Sequence, residues 1–461
     1  MTIERTAGGI AVVRVGAEAG SWAETLERDL LVVERDELVR GVVIDPRAIS
    51  GRPAGAHLEE LLSIKTAKGG RAIALAGRSV VEKLAALSKP TVALLEGPIL
   101  GAAFEVALAC DRRVAAADAT TTVGLSEVHL GLVPALSGLE RLATLAGIEA
   151  AIELGLSGDP IPASEAESLG LVDMQVPVDV LQAAAVEAAV AASKTDLRER
   201  RGRIDQMRLQ IVERNPLLQR MLLRRAAARL GGHDKAKRAA LDVLEAFVAN
   251  GENASKELGL RLFGELCVSA ASGRLIEVML DEEAASKTKE SPKPFDEHLF
   301  VGRIERALAL AIGDLQRDGV SLSAIDEALF AWGFSIRVSS ISKTSEQEKS
   351  RLSRNATRLV VEEIQLRVVL SLLLAVVSCM DEGIVPSSQA ADLLVLSKLG
   401  FPRFRGGPLR YIDTIGADEI LKRAQNYEAR LGESFQPPQG LRNAAQTGVL
   451  FHRREEPLPR A

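Results

Sequence analysis

Strand-forming segments are confined to the front of this chain, and that confinement limits its architecture most. Residues 1–175 alternate between strand-like and helix-like pieces. GIAVVRVG and RGVVIDPR are rich in Val and Ile, bounded by Gly, Arg and Pro, and read as strands. A helix over Ser79–Leu87 is broken by Lys89-Pro90, and TVALLEG follows as a buried strand. A second helix is expected from Leu100 to about Ala109. From about Leu181 to Met279 the strand signals nearly vanish, and Ala, Leu, Arg and Glu dominate. An α/β domain followed by helical domains is the expectation. The 461 residues exceed one ordinary core, and a 47% hydrophobic content can supply several.

The helical part is punctuated. Residues 281–295, DEEAASKTKESPKPF, read as a linker, and Ser339–Asn355 is a second polar stretch. The segments around them look like weak repeats. In each, an apolar helix ends in an acid plus Gly (Asp318-Gly319, Glu382-Gly383), a second helix carries Asp326 or Asp392, and Gly-Phe follows (Gly333-Phe334, Gly400-Phe401). The longest apolar run, Val368–Met380, has 13 residues, which fits a buried helix better than a membrane span. The Arg-rich stretch before Gly231-Gly232 reads as a solvated helix face rather than a phosphate-contacting one.

Charge and chemistry exclude several classes. With 57 basic and 62 acidic residues, general nucleic-acid binding is not expected. Cys110, Cys267 and Cys379 form no pair with metal-ligand spacing, and the five histidines form no HExxH, so no metal site is expected. The N-terminus lacks the pattern of a signal peptide, and a cytoplasmic setting is expected.

The chemically suggestive stretch is Gly97–Pro134. The turn GPILGAA leaves backbone N–H groups free at a helix start, where a developing oxyanion could be held. Glu105 lies just inside that helix, and Glu127 follows a second strand-to-turn passage, TTTVGLS. Two readings stand. They are ordinary acids favoured in a first helical turn, by about 0.3–1 kcal/mol each, or they flank one reactive centre as acid and base.

KPTVALLEGPILGAAFEVALACDRRVAAADATTTVGLSEVHLGLVPALSGLERL resembles the core signature of the crotonase (enoyl-CoA hydratase/isomerase) family over about residues 1–190. The resemblance implies a ββα-superhelix α/β domain, followed here by an all-α linker and all-α C-terminal domains. It implies Glu105 and Glu127 as the catalytic pair and the N–H groups of Ala56 and Ala102 as the oxyanion hole. Gly101 and Ala135 would line the water and substrate. The chain departs from the pattern: Gly101-Ala102-Ala103 stands for three glycines, Ala135 for the Gly after Pro134, His57 for an acid, and Glu59 for a CoA-binding Lys. The departures predict strain and crowding at the alanines, and so a weakened site.

GFPRFRGGPLRYIDTIGADEILKRAQ resembles the C-terminal helical domain of 3-hydroxyacyl-CoA dehydrogenases, closely over Gly400–Gly416. Phe295–Phe334 resembles the other copy of that domain. The order is that of multifunctional fatty-acid oxidation α-subunits without the nucleotide-binding domain. The implied domains are a crotonase-like unit at 1–190, a helical linker at 191–280 and a polar linker at 281–294 in place of that domain. A partial helical module at 295–338 and a second helical domain at 356–461 follow. No GxGxxG follows a strand, and Leu310-Ala311 and Leu374-Ala375 replace the family's Asn-Glu. The resemblance thus implies an enoyl-CoA hydratase of β-oxidation, or a Δ3–Δ2 isomerase using the same pair. It would use a CoA thioester as substrate, need neither NAD nor metal, and form an oligomer, with a thiolase β-subunit as a partner. The competing expectation is a non-catalytic acyl-CoA-binding or scaffold subunit.

Overall fold

The computed structural model describes residues 3–6, 8–16, 21–49, 58–192, 198–204, 206–207, 216–287, 295–337 and 360–452. Contacts divide the chain into two units. The first holds residues 1–230 and 234–273, and the second holds 231–233 and 274–461.

In the first unit, nine strands alternate with helices among the described residues. They are β1 (Ile3–Arg5), β2 (Ile10–Arg14), β3 (Gly41–Asp45), β4 (Thr91–Leu95), β5 (Pro98–Leu100), β6 (Arg112–Ala116), β7 (Thr122–Gly124), β8 (Ile161–Pro162) and β9 (Met174–Val176). The main sheet runs β1-β2-β3-β4-β6-β9, antiparallel at the β1–β2 edge and parallel elsewhere. Central strands β3 and β4 are buried along their whole length, which is why their middles, Val42–Ile44 and Val92–Leu95, are apolar runs rather than alternating ones. Val12, Val43, Val92 and Val114 pack against Leu181, Ala185 and Ala189 of the helix Leu181–Ala191. A small second sheet, β5-β7-β8, carries the turns that precede both glutamates.

The helix before β4 begins at Ala67, well ahead of the expected Ser79. Its N-cap Thr66 accepts from Gly69 N, and Gly69-Gly70 inside it had obscured the helical pattern. Gly70 has a packing role. The helix Glu252–Cys267 crosses there so closely that a Cβ on Gly70 would meet Cys267 at 3.0 Å, and one on Gly264 would meet Ala67 O at 2.3 Å. The region 191–280 is therefore divided by its contacts, with the helices Lys235–Asn250 and Glu252–Cys267 built into the first unit. The Arg-rich helix Pro216–Ala227 turns Arg220, Arg224 and Arg225 to solvent.

The second unit has no strand among its described residues. Of the 281–294 segment, residues 281–287 continue the helix Ala270–Lys287, and the rest lies outside the described residues, as does Ser339–Asn355. The weak sequence repeat corresponds to two similar helical hairpins. Helices of 21 residues, Glu297–Arg317 and Val361–Asp381, are followed by helices of 11 and 12 residues, Leu322–Trp332 and Ser388–Leu399. Ser321 and Ser387 cap the shorter helices by accepting from Ala324 N and Ala390 N. Gly333 and Gly400 end them in the left-handed conformation. The following Phe334 and Phe401 meet with centroids 5.8 Å apart, and Ser335 N donates to Gly400 O.

Helix Val361–Asp381 outruns the 13-residue apolar stretch and is long and apolar enough to cross a membrane by length and composition. Twelve of its side chains are buried within the unit. The repeats diverge at their aspartates. Asp326 is half-buried, whereas Asp392 is fully buried, accepts from Leu409 N and Arg410 N, and lies 2.8 Å from His452 Nε2.

Candidate active site

The site begins where β5 ends. Gly101, at φ 61° and ψ −130°, turns the chain into the helix Ala102–Ala109, all of whose residues are buried. That backbone conformation is one an L side chain rarely adopts, so glycine is needed there. Ala102 is the first helical residue, and its N–H has no acceptor within the helix. Among the described residues only Ser137 combines a side chain with positive φ, so the strain expected at Ala102 and Ala135 does not occur. The positive φ falls on the glycine one place earlier.

Glu105 is the one charged residue in this apolar helix and is 0% exposed. Its Oε2 accepts two backbone hydrogen bonds, from Leu136 N at 2.8 Å and Gly138 N at 2.7 Å. Those N–H groups converge because Ser137 between them is left-handed, at φ 74°. Gly138 is required by contact, not by φ. A Cβ there would lie 2.7 Å from both Cγ and Oε2 of Glu105.

Glu127 lies in the 3-10 turn Ser126–Leu130 after β7 and is 1% exposed. Among the described residues, neither of its oxygens has a hydrogen-bond partner, nor has Glu105 Oε1 or Ser137 Oγ. Buried oxygens normally find partners, which makes these four the ones to account for.

Electrostatics separate the two carboxyls. Burial lifts Glu105 to about 7, while the Gly138 and Leu136 N–H groups and Arg78 pull against it and Glu140 adds to the rise. Burial, reinforced by the charge of Glu105, holds Glu127 well above the ordinary carboxylate range, with no side-chain or N–H donor from another residue to relieve it. The structure thus brings Glu105 and Glu127 into one electrostatic unit.

A second layer fixes the loop that carries the donors. Buried Arg78 donates to Ala135 O from Nε at 2.9 Å and from Nη2 at 2.5 Å, and also bonds Lys256 O. Arg141 Nη1 donates to Leu136 O at 2.8 Å. Ser255 Oγ donates to Glu140 at 2.8 Å. Ala135, expected to line the substrate, is 1% exposed with its carbonyl bound by Arg78. Ala56 and His57 lie outside the described residues. Glu59 is exposed on the short helix Leu58–Ser63, and His129 is a surface residue 3.3 Å from Asp159.

Sequence reasoning missed Ser137, Gly138, Arg78, Arg141 and Ser255. Ser137-Gly138 ahead of an apolar helix was the available signal. Arg78 and Ser255 lie too far away in sequence to have carried one.

Comparison with known proteins adds to this geometry. Residues 21–201, less than half the chain, match the family model for enoyl-CoA hydratase/isomerase. Among similar solved structures is enoyl-CoA hydratase from Bacillus anthracis, at 24% identity, covering 63% of this chain and 98% of that one, with a TM-score of 0.37. Another is an enoyl-CoA hydratase/carnithine racemase from Magnetospirillum magneticum, at 24% identity, covering 44% and 81%, with a TM-score of 0.39. A third is an enoyl-CoA hydratase/isomerase from Xanthobacter autotrophicus Py2, at 21% identity, covering 55% and 96%, with a TM-score of 0.39. The first unit has the crotonase fold.

Proposed function

We propose that the first unit hydrates a 2-trans-enoyl-CoA, with Glu127 as acid and Glu105 as base. The observation that carries this is the buried carboxyl pair whose environments differ in one direction. Glu105 has two N–H donors on one oxygen, and Glu127 has none. Removing one proton from the pair near neutral pH therefore ionises Glu105 first and leaves Glu127 protonated.

The chemistry follows from that proton count. Water between the carboxyls gives a proton to Glu105 as its oxygen bonds to the β-carbon. Glu127 gives its proton to the α-carbon on the same face, so addition is syn. Charge that builds on the thioester oxygen is met by Ala102 N–H at the positive end of the helix Ala102–Ala109. Ala56 N–H is the second donor that the family resemblance supplies. Afterwards Glu105 holds the proton and Glu127 is ionised, and a proton passing between them through solvent restores the start. The same two groups can move a proton between α- and γ-carbons, which would be Δ3–Δ2 isomerisation.

The finer reading is β-oxidation in the cytoplasm with no nicotinamide chemistry, and a thiolase β-subunit as partner. It rests on the sequence: the order of the domains and the lack of a glycine-rich loop after any predicted strand.

The test is hydration of crotonyl-CoA and of a longer enoyl-CoA, followed by loss of enoyl absorbance. Glu127→Gln should lower kcat by about 10²–10⁴-fold, the usual contribution of a positioned acid or base. Wild-type protein that binds acyl-CoA but turns over no enoyl-CoA of any length would replace this reading with the scaffold one.

A further inference from the structure

The loop from Ala135 to Gly138 has most of its backbone committed. Ala135 O accepts from Arg78, Leu136 O from Arg141 Nη1, and Ser137 O from Arg141 N at 3.1 Å. Leu136 N and Gly138 N donate to Glu105 Oε2. The hydroxyl of Ser137, between those two donors, is different. Ser137 is 1% exposed, and among the described residues its Oγ has no hydrogen-bond partner. It is also the one non-glycine at positive φ among the described residues. Serine there carries two costs, an unmet buried hydroxyl and a strained backbone, and glycine would remove both. No contact among the described residues offsets them, and a bound molecule can.

Reach puts that molecule at the carboxyl pair. Gly138 N lies 2.7 Å from Glu105 Oε2, and a serine Oγ is at most about 5 Å from the next residue's nitrogen. Ser137 Oγ therefore lies within about 8 Å of Glu105 Oε2 in any rotamer. A water with a hydrogen bond of about 2.8 Å on each side bridges oxygens about 5.6 Å apart, inside that limit. The carboxyls already have tasks in the proposed reaction, Glu105 as proton acceptor and Glu127 as proton donor. A water that gives one proton to Glu105 has a second O–H, and a hydroxyl oxygen can accept from it.

We infer that Ser137 Oγ accepts a hydrogen bond from the second O–H of the attacking water, and afterwards from the 3-hydroxyl of the product. This rests on the hydration reading. One water proton passes to Glu105. The other stays on the oxygen as it bonds to the β-carbon, hydrogen-bonded to Ser137 throughout. Held by two acceptors, the water turns a lone pair on the β-carbon. An enoyl thioester has no oxygen at that carbon, so Ser137 touches the water and the product but not the enoyl substrate. It is a catalytic residue that also favours 3-hydroxyacyl over unsubstituted acyl thioesters.

The test separates binding from turnover. In a Glu127→Gln background, which suppresses turnover, calorimetry compares 3-hydroxybutyryl-CoA with butyryl-CoA, and 3-hydroxydecanoyl-CoA with decanoyl-CoA. With Ser137 present, the hydroxylated thioester should bind about 3–10-fold more tightly, the usual effect of one hydrogen bond. Ser137→Ala, which keeps Cβ, and Ser137→Gly, which also frees the backbone, should abolish that preference and leave affinity for the unsubstituted thioester unchanged. With Glu127 intact, both should lower kcat for hydration by about 10-fold or more, while KM for the enoyl-CoA stays within about twofold. Ser137→Gly should do so although it melts no lower than wild type, a combination that a purely structural serine does not give. A preference that survives both substitutions, or that is missing with Ser137 present, overturns the proposal, because the hydroxyl then serves a structural water. Wild type that turns over no enoyl-CoA, beside an intact preference in binding, refutes the hydration reading and still supports the contact with a 3-hydroxyl. Binding of neither thioester pair overturns both.

Discussion

Replacing Glu105 by Gln should stabilise the protein at neutral and alkaline pH while disabling the site. Gln keeps a carbonyl oxygen for the N–H groups of Leu136 and Gly138, so the local hydrogen bonds survive. It removes a carboxyl that burial has raised from an ordinary 4.5 to about 7. The folded state therefore binds that proton more tightly than the unfolded chain does. Its stabilising effect is complete below pH 4.5 and is lost as pH rises through about 7. At about 1.36 kcal/mol per pH unit, the wild type forfeits about 3 kcal/mol between those limits. The variant does not, and Glu127 is also relieved of a neighbouring charge. Urea denaturation of both proteins at pH 5 and pH 8 measures this. The advantage of the variant should be about 2.5 kcal/mol larger at pH 8 than at pH 5, since part of the effect is already lost at pH 5. Equal urea midpoints at both values, with equal slopes, would show that Glu105 is solvated or otherwise paired and that the assignment of base and acid from burial is wrong.

Gly138→Ala should lower kcat/KM by about 10²-fold and destabilise by about 1–3 kcal/mol or more, because the new methyl displaces Glu105 from the two buried N–H groups it accepts from; steady-state kinetics beside thermal melts check it. Ser137→Gly should raise stability by up to about 1 kcal/mol, the cost of a left-handed L-residue less that of the freer unfolded chain, read from urea midpoints. Ala102→Gly should destabilise by about 0.5–1 kcal/mol and leave kcat/KM no higher, since Ala102 carries no backbone strain to relieve; a gain in kcat/KM at equal folded fraction would restore the expectation of a weakened site.

What the sequence revealed followed from its local physics. The buried strands were legible because Val- and Ile-rich runs end in Gly, Arg or Pro, and both glutamates because each follows a strand and a turn. The paired hairpins of the second unit were legible through Asp-Gly and Gly-Phe punctuation, whose glycines end helices in the left-handed form. Long-range packing was not. Gly69 and Gly70 looked like breakers, yet Gly70 lies where one helix crosses another closely enough to exclude a side chain. The alanines at 102 and 103 looked strained because positive φ was assigned to the wrong residue, when Gly101 alone absorbs it. Nothing local marks Ser255 or Lys256 as neighbours of a loop more than a hundred residues earlier.

Those last contacts redefine the functional unit. Residues 21–201 carry the family pattern and both carboxyls. The loop that orients Glu105 is held by Arg78, which bonds Lys256 O as well as Ala135 O, and Glu140 of the following helix is held by Ser255. Lys256 also pairs with Glu82 on the helix Ala67–Ala86, at 2.8 Å. The helix Glu252–Cys267 thus locks the far side of the loop that donates to Glu105, and the glycines at 70 and 264 let it come close enough to do so. Buried Arg78 would otherwise face an unmet hydrogen-bonding need in the core, a cost of about 1–3 kcal/mol for each donor left without a partner. A helical region that composition alone marks as a connector is, on these contacts, part of the apparatus that keeps one oxygen of Glu105 fixed and leaves the other free.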